Sequence, residues 1–164
     1  MGYIAVVLLQ TLILPLCFGA FALESHATLD VLATFGRWFL FWGVGTRLAL
    51  AGIVQVAKPD FTTSAVLGES SATASLTARE LGLANLAMGA GAIVGTFGGG
   101  GLAAAVTGGA YMAFAGAGHL GKSAAKNAKE RVATWTDLLI FAAMAAYVVA
   151  LLAAGKALPG HASP

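Results

Sequence analysis

Apolar residues fall into five long runs, and the polar residues gather almost wholly between them. The runs cover about residues 3–23, 36–57, 79–97, 102–120 and 134–154. Each approaches the roughly 20 residues that a helix needs to cross the hydrocarbon of a bilayer. The pattern predicts an all-α, polytopic transmembrane helical bundle of about five spans, an N-terminal span plus a four-helix core, forming a single membrane domain over 1–164. The centre of the chain is a hairpin. Residues 79–122 are Gly, Ala, Leu and Val with few exceptions, and Gly98, Gly99, Gly100 and Gly101 divide them into two helices joined by a tight turn.

The boundaries follow from local chemistry. The first run contains Pro15, which lacks a donor and crowds the preceding turn, so a kink is expected there. It resembles a signal peptide only in Ala20, Phe21 and Ala22: its flank has no Lys or Arg, and the run is longer than a usual h-region. It is read as a retained span. Glu24 to Thr34 is a polar connection holding Glu24, His26 and Asp30. Lys58, Pro59 and Asp60 end the second span, because proline cannot continue a helix. Residues 60–78 are rich in Ser and Thr and read as a polar loop with room for a short interfacial helix. Thr77 and Glu80 have the spacing of a capping box that would open the third span. Residues 122–131 are the most basic stretch, with Lys122, Lys126, Lys129 and Arg131 against Glu130, and read as a solvated loop or a short surface helix. Residues 156–164 form a polar tail.

Small residues mark the helix contacts. Gly91 and Gly95 form a GxxxG in the third span. In the fourth, Gly109 and Ala113 belong to a four-residue repeat, and Ala142 and Ala146 to another in the fifth. Small side chains let helix backbones approach closely in lipid. The third and fourth spans are expected to pack tightly against each other in the interior.

Composition narrows the class. The chain has 164 residues, 59% hydrophobic and 10% charged, against about 25% charged in soluble domains. A net charge of +2 is too small and too dispersed for nucleic acid. Cys17 is the single cysteine, so an intrachain disulfide and a CxxC site are both excluded. The glycines do not form a nucleotide loop, since no strand precedes them and no Walker lysine follows. With five spans, Lys58, Arg79, Lys122, Lys126, Lys129 and Arg131 share one side, with Arg37 and Lys156 on the other. The positive-inside rule then puts the N-terminus inside and the C-terminus outside in a bacterial inner (cytoplasmic) membrane.

That topology gathers polar residues in one leaflet. Gln55 ends the second span on the cytoplasmic side, while Glu80 and Asn85 begin the third there. His119 ends the fourth and Asp137 starts the fifth. Arg47 reaches toward them from mid-span. A buried charge needs an opposite partner, which Asp137 or Glu80 would supply, and Gln55, Asn85 and His119 would add hydrogen bonds. The cluster serves either as a structural clamp or as a pocket for a small molecule, a lipid head group or a proton.

These residues also carry a resemblance. Residues 43–47 with Pro59 and Asp60, the Glu-x-Gly-x-x-Asn-Leu block from Glu80 to Leu86, Gly118 with His119, and Thr136 with Asp137 resemble an uncharacterised family of small prokaryotic multi-span membrane proteins, a domain-of-unknown-function family similar to the DoxX-type four-helix proteins. The resemblance spans about residues 36–150 and implies a helical membrane bundle with the same polar positions, and no activity. Where the family's pattern has a Gly-His pair, this chain has Val54 and Gln55.

Three functions are compatible with the pattern. The first is association, as a homo-oligomer or as an accessory subunit of a larger membrane complex, with the lipid bilayer and other membrane subunits as partners. The second is a small-solute or proton transporter or channel using Arg47, Glu80, His119 and Asp137. The third, an enzyme or a haem protein with His119 as axial ligand, comes last, because His26 and His161 fall on the opposite side. No catalytic residue, metal site or cofactor is expected.

Overall fold

The computed structural model describes residues 2–25, 30–68, 71–121 and 127–155. His26, Glu69, Lys122, Lys126 and the tail with Lys156 and His161 lie outside the described residues. Among the described residues, five long helices make up the bundle and there is no strand. They are α1 (Gly2–Ser25), α2 (Val31–Ala57), α3 (Ala72–Phe97), α4 (Gly101–Gly121) and α5 (Ala128–Ala153). α1, α2, α3 and α5 are long and apolar enough to cross a membrane. α4 has 21 residues and no Asp, Glu, Lys or Arg.

Three helices begin before the apolar runs do, because each is opened by a polar side chain outside the run. The Asp30 carboxylate accepts from the Ala33 N–H at 2.6 Å, Ser71 Oγ from Ala74 at 3.0 Å, and Asn127 Oδ1 from Glu130 at 2.9 Å. Each satisfies an N–H that the first helical turn leaves without a partner. The capping box at Thr77 and Glu80 is therefore not the start of α3. Thr77 lies inside the helix and donates back to the Thr73 carbonyl at 3.0 Å, and Glu80 is exposed. The short helix expected in the 60–78 loop is a π-helical turn, Phe61–Leu67. Asp60 ties that turn to α3 by accepting from the Ser75 hydroxyl.

Two helices change register inside the bundle. α1 is π-helical over Leu9–Ile13, with the Leu14 N–H bonded to the Leu9 carbonyl. Pro15 follows directly and is buried. The wider turn accommodates a residue that cannot donate, and the helix runs on to Ser25. α2 is π-helical over Phe39–Thr46 and returns to α at Arg47.

α2 is the central helix. Leu40, Val44 and Leu48 meet Ala92 of α3, Ala105 and Met112 of α4, and Ile140, Met144 and Tyr147 of α5. The buried face of α5 runs Ala133, Asp137, Ile140, Met144, Tyr147, alternating steps of four and three, which is the repeat that keeps one stripe inward. Ala142 and Ala146 fall on the opposite face and are exposed. Within this chain they pack against nothing in the interior, as does Gly91, whose surroundings are open. Gly95 meets Ala104, Gly109 meets Met144, and Ala113 is half-buried.

The most extensive helix contacts are α4 with α5 and α2 with α3. The tight packing expected between the third and fourth spans holds only near their turn. There Gly99 has φ +83°, open to glycine without cost, and Gly95 lies against Gly100 and Ala104. Below the turn α4 follows α5, α3 follows α2, and a gap opens between the pairs. The α2–α3 contact has no room for side chains: a Cβ at Gly89 would sit 2.6 Å from the Ala49 backbone N and 2.8 Å from the Gly45 carbonyl.

Gly89→Leu is therefore expected to cost about 3 kcal/mol or more, as overpacking against backbone does. Gly91→Leu, two residues on, is expected to stay within about 0.5 kcal/mol, as surface changes do. Thermal unfolding of both variants in detergent checks the contrast; equal damage would contradict the α2–α3 contact.

Candidate functional site: a polar cavity in one half of the bundle

The gap is a half-open cavity of about 650 Å³. All five helices and the π-helical turn contribute to its wall. α1 supplies Tyr3, Val6, Val7 and Gln10; α2 supplies Arg47, Leu48, Val54 and Gln55; α3 supplies Leu81 and Asn85. Tyr111, Met112, Phe114, Ala115, Gly118 and His119 come from α4, Asp137 and Ala133 from α5, and Phe61 and Thr62 from the turn. The contributions fall on the N-terminal parts of α1, α3 and α5 and the C-terminal parts of α2 and α4, so an alternating bundle puts them at one end. Lys129 Nζ lies 5.2 Å from the Phe61 ring centroid and fixes the start of α5 beside the 60s turn at this same end.

An ion pair forms the floor. Arg47 Nη2 donates to Asp137 Oδ1 at 2.5 Å, with both side chains about nine-tenths buried. The partner of Arg47 is thus α5, not α3. The Asp137 position on the inward stripe of α5 carries its carboxylate to the bundle centre, and Arg47 is the first residue after the π-helical segment of α2. A charge-assisted contact of this length is the strong kind. In a low-dielectric interior, each charge is tolerable only because of the other.

Hydrogen bonds brace the wall. Asn85 Nδ2 donates to Gln55 Oε1 at 2.7 Å, tying α3 to α2 where both are buried. Tyr111 of α4 lines the cavity together with Asn85. Gln10 Nε2 donates to Thr46 Oγ1 at 3.1 Å, linking α1 to the turn of α2 just before Arg47. At the mouth, His119 Nδ1 lies 3.5 Å from Glu130 Oε1 and joins the end of α4 to the first turn of α5.

Of the six polar residues picked out in the sequence, Arg47, Gln55, Asn85, His119 and Asp137 line the cavity. Glu80 does not; it points to the outside of α3. Asn85 is five residues further on, and that step of about 140° past a full turn separates the two faces. Tyr3, Gln10, Tyr111 and Glu130 were missed. Gln10 is the one amide in the first apolar run, and that isolation was the signal available. Glu130, 2% exposed, was read as part of a basic loop, whereas it opens α5. Among the described residues, no three His, Cys, Asp or Glu gather to hold a metal ion, and His119 has no second histidine beside it.

The cavity does not continue through the bundle. Beyond Arg47 the interior is closed by Leu40, Val44, Met112, Ile140 and Met144, none more than 1% exposed. The opposite end carries aromatics: Phe18 packs on Trp38 and Trp42 at 4.9 and 5.3 Å between centroids, and the Arg37 guanidinium lies 5.1 Å from the Phe97 ring centroid.

Apolar helices of this length, built around a largely buried ion pair, define an integral membrane protein with a polar cavity in one half of its bundle. The chain belongs to a family described as a family of unknown function (DUF6790), which it matches over residues 3–160. No curated protein and no solved structure matches it.

Removing one partner of the ion pair leaves a buried charge, so Arg47→Met and Asp137→Leu are each expected to destabilise by about 3–5 kcal/mol. The double variant is expected to recover most of that loss, since an apolar pair of similar volume has no charge to compensate. A double-mutant cycle by thermal or denaturant unfolding in detergent decides it. Additive damage would show that the two residues do not act on each other.

Proposed function

We propose that the protein is a membrane-embedded binding protein whose cavity takes a single small lipid-soluble molecule. The observation that carries this reading is the cavity of about 650 Å³ with the Arg47–Asp137 pair at its floor. Its size is that of sites holding one drug-sized ligand, and such sites combine apolar walls with a few fixed polar groups. A purely structural clamp needs no such space around it: helices that only pack would close on the pair, as α2 and α3 close on each other at Gly89.

In the proposed arrangement all five helices cross the bilayer. α4 returns the chain between α3 and α5, and its 21 residues reach about 31 Å at 1.5 Å per residue. Lys58, Arg79, Lys129 and Arg131 lie at the cavity end, so the positive-inside rule favours a cytoplasmic cavity, an N-terminus inside and a C-terminus outside, in a bacterial inner membrane. Transport of a solute or proton from this cavity would require the apolar plug from Leu40 to Met144 to open. Association is the second reading, and the outward-facing Gly91, Ala142 and Ala146 favour it. They leave two smooth helix faces on which another membrane subunit or a second copy could seat closely. Binding and association are compatible, since those faces lie outside the cavity.

Purification in a mild detergent, followed by organic extraction and mass spectrometry, tests the binding reading. About one lipophilic molecule per chain is expected, and Ala115→Phe, which puts a ring into the cavity, is expected to lose it while the protein stays folded. Equal recovery from both proteins would place the molecule on the lipid-facing surface and contradict the proposal.

A further inference from the structure

Two residues of the cavity wall have a buried polar atom left over, Asn85 at Oδ1 and Arg47 at one nitrogen. Arg47 Nη2 is committed to Asp137, but Arg47 Nη1 is buried and has no hydrogen-bond partner among the described residues. A buried guanidinium N–H without an acceptor is costly, and this one belongs to a wall residue of the cavity. The Arg47 charge is already balanced, since Asp137 neutralises it at 2.5 Å. An anionic ligand would bring a second negative charge beside Asp137 with no further buried Lys or Arg among the described residues to meet it, which the low-dielectric interior penalises. A cation would meet the guanidinium itself. What Arg47 Nη1 lacks is an acceptor oxygen without a charge.

The rest of the wall describes the remainder of the molecule. Val7, Leu48, Val54 and Met112 surround the space with hydrocarbon. Leu81 of α3 and Phe114 of α4 line the cavity and are also 39% and 77% exposed. They stand on the two helices that diverge below the glycine turn, which gives the cavity an exposed apolar margin between α3 and α4.

Resting on the binding reading above, we infer that the ligand is a neutral amphiphile with a carbonyl-type oxygen. Its head accepts from Arg47 Nη1, and its tail passes out between Leu81 and Phe114 into the lipid. Arginine suits this task because its planar fork serves Asp137 with one nitrogen and the ligand with the other; a lysine ammonium has no such division.

The test uses the full chain in nanodiscs of neutral lipid and three probes with the same twelve-carbon tail: monododecanoylglycerol, dodecanoate and dodecylamine. Native mass spectrometry reads the bound adduct. The neutral ester is expected to bind one per chain and about tenfold or more above either ion, since the hydrogen bond to a charged donor is gained without an added charge. Arg47→Lys is expected to lose that preference while keeping the ion pair. Ala115→Phe is expected to lose all binding, and Gly118→Phe provides a second filled cavity should the first variant fail to fold. If Arg47→Lys fails to fold, the ranking of the three probes on the unaltered protein decides alone. Dodecanoate or dodecylamine binding as well as the ester would overturn the inference about the head group and leave the cavity reading standing. Binding of every probe unchanged by both filled-cavity variants would overturn both. No adduct with any probe overturns the inference, and the binding reading is then judged on the molecule recovered from native membranes.

Discussion

The structure depends on one contact, the 2.5 Å ion pair between Arg47 of α2 and Asp137 of α5. In water such a pair contributes little. Inside an apolar bundle it is an obligation, because neither charge can be left there alone. It therefore fixes two things together. It sets the rotation of the central helix, since Arg47 must face α5, and it sets the register of α5, since Asp137 must lie on the inward stripe. The cost of a polar group in hydrocarbon makes the alternative registers unfavourable, although hydrophobic packing alone would not distinguish them.

Two kinds of helix contact then divide the bundle into a closed half and an open half. Glycine brings α2 against α3 at backbone distance, and α4 lies along α5. The four-glycine turn binds these pairs at one end, over a core of Leu40, Val44, Met112, Ile140 and Met144. No such contact draws α3 to α4 at the other end, where the polar side chains collect instead. The amide bridge from Asn85 to Gln55, the Gln10 to Thr46 bond and the His119–Glu130 contact all lie around that opening. They hold the walls to their neighbours without filling the space between them.

Much of this was legible in the sequence. Five apolar runs separated by polar links are long enough to locate five helices. The rarity of charge in them singled out Arg47 and Asp137, whose opposite signs in one leaflet leave few other ways to be neutral. The helix starts were harder to read. Asp30, Ser71 and Asn127 cap from outside the hydrocarbon-length windows, so hydropathy passes over the turns they open. Glu80 was misplaced for a different reason. Hydropathy gives depth along a helix but not its rotation, and five residues between Glu80 and Asn85 suffice to put them on different faces. The same ambiguity leaves open which way the stripe of Ala142 and Ala146 faces, and it lies outward because the residues from Asp137 to Tyr147 occupy the interior. Tyr3, Gln10 and Tyr111 become site residues only once the partners across the cavity are known, because a tyrosine or a lone amide in an apolar run is compatible with several environments.

The most direct test of the central contact is a distance. Solid-state NMR on protein in lipid bilayers, with labelled arginine and aspartate, measures the separation between the Arg47 guanidinium nitrogens and Asp137 Cγ. A contact of 2.5 Å between Nη2 and Oδ1 places that carbon within about 4 Å of the nearest nitrogen. A coupling of that strength, absent in Asp137→Asn, is the expected result. A separation beyond about 6 Å, too far for a direct ion pair, would show that the two helices are held by something else, and that the cavity does not have the floor described for it.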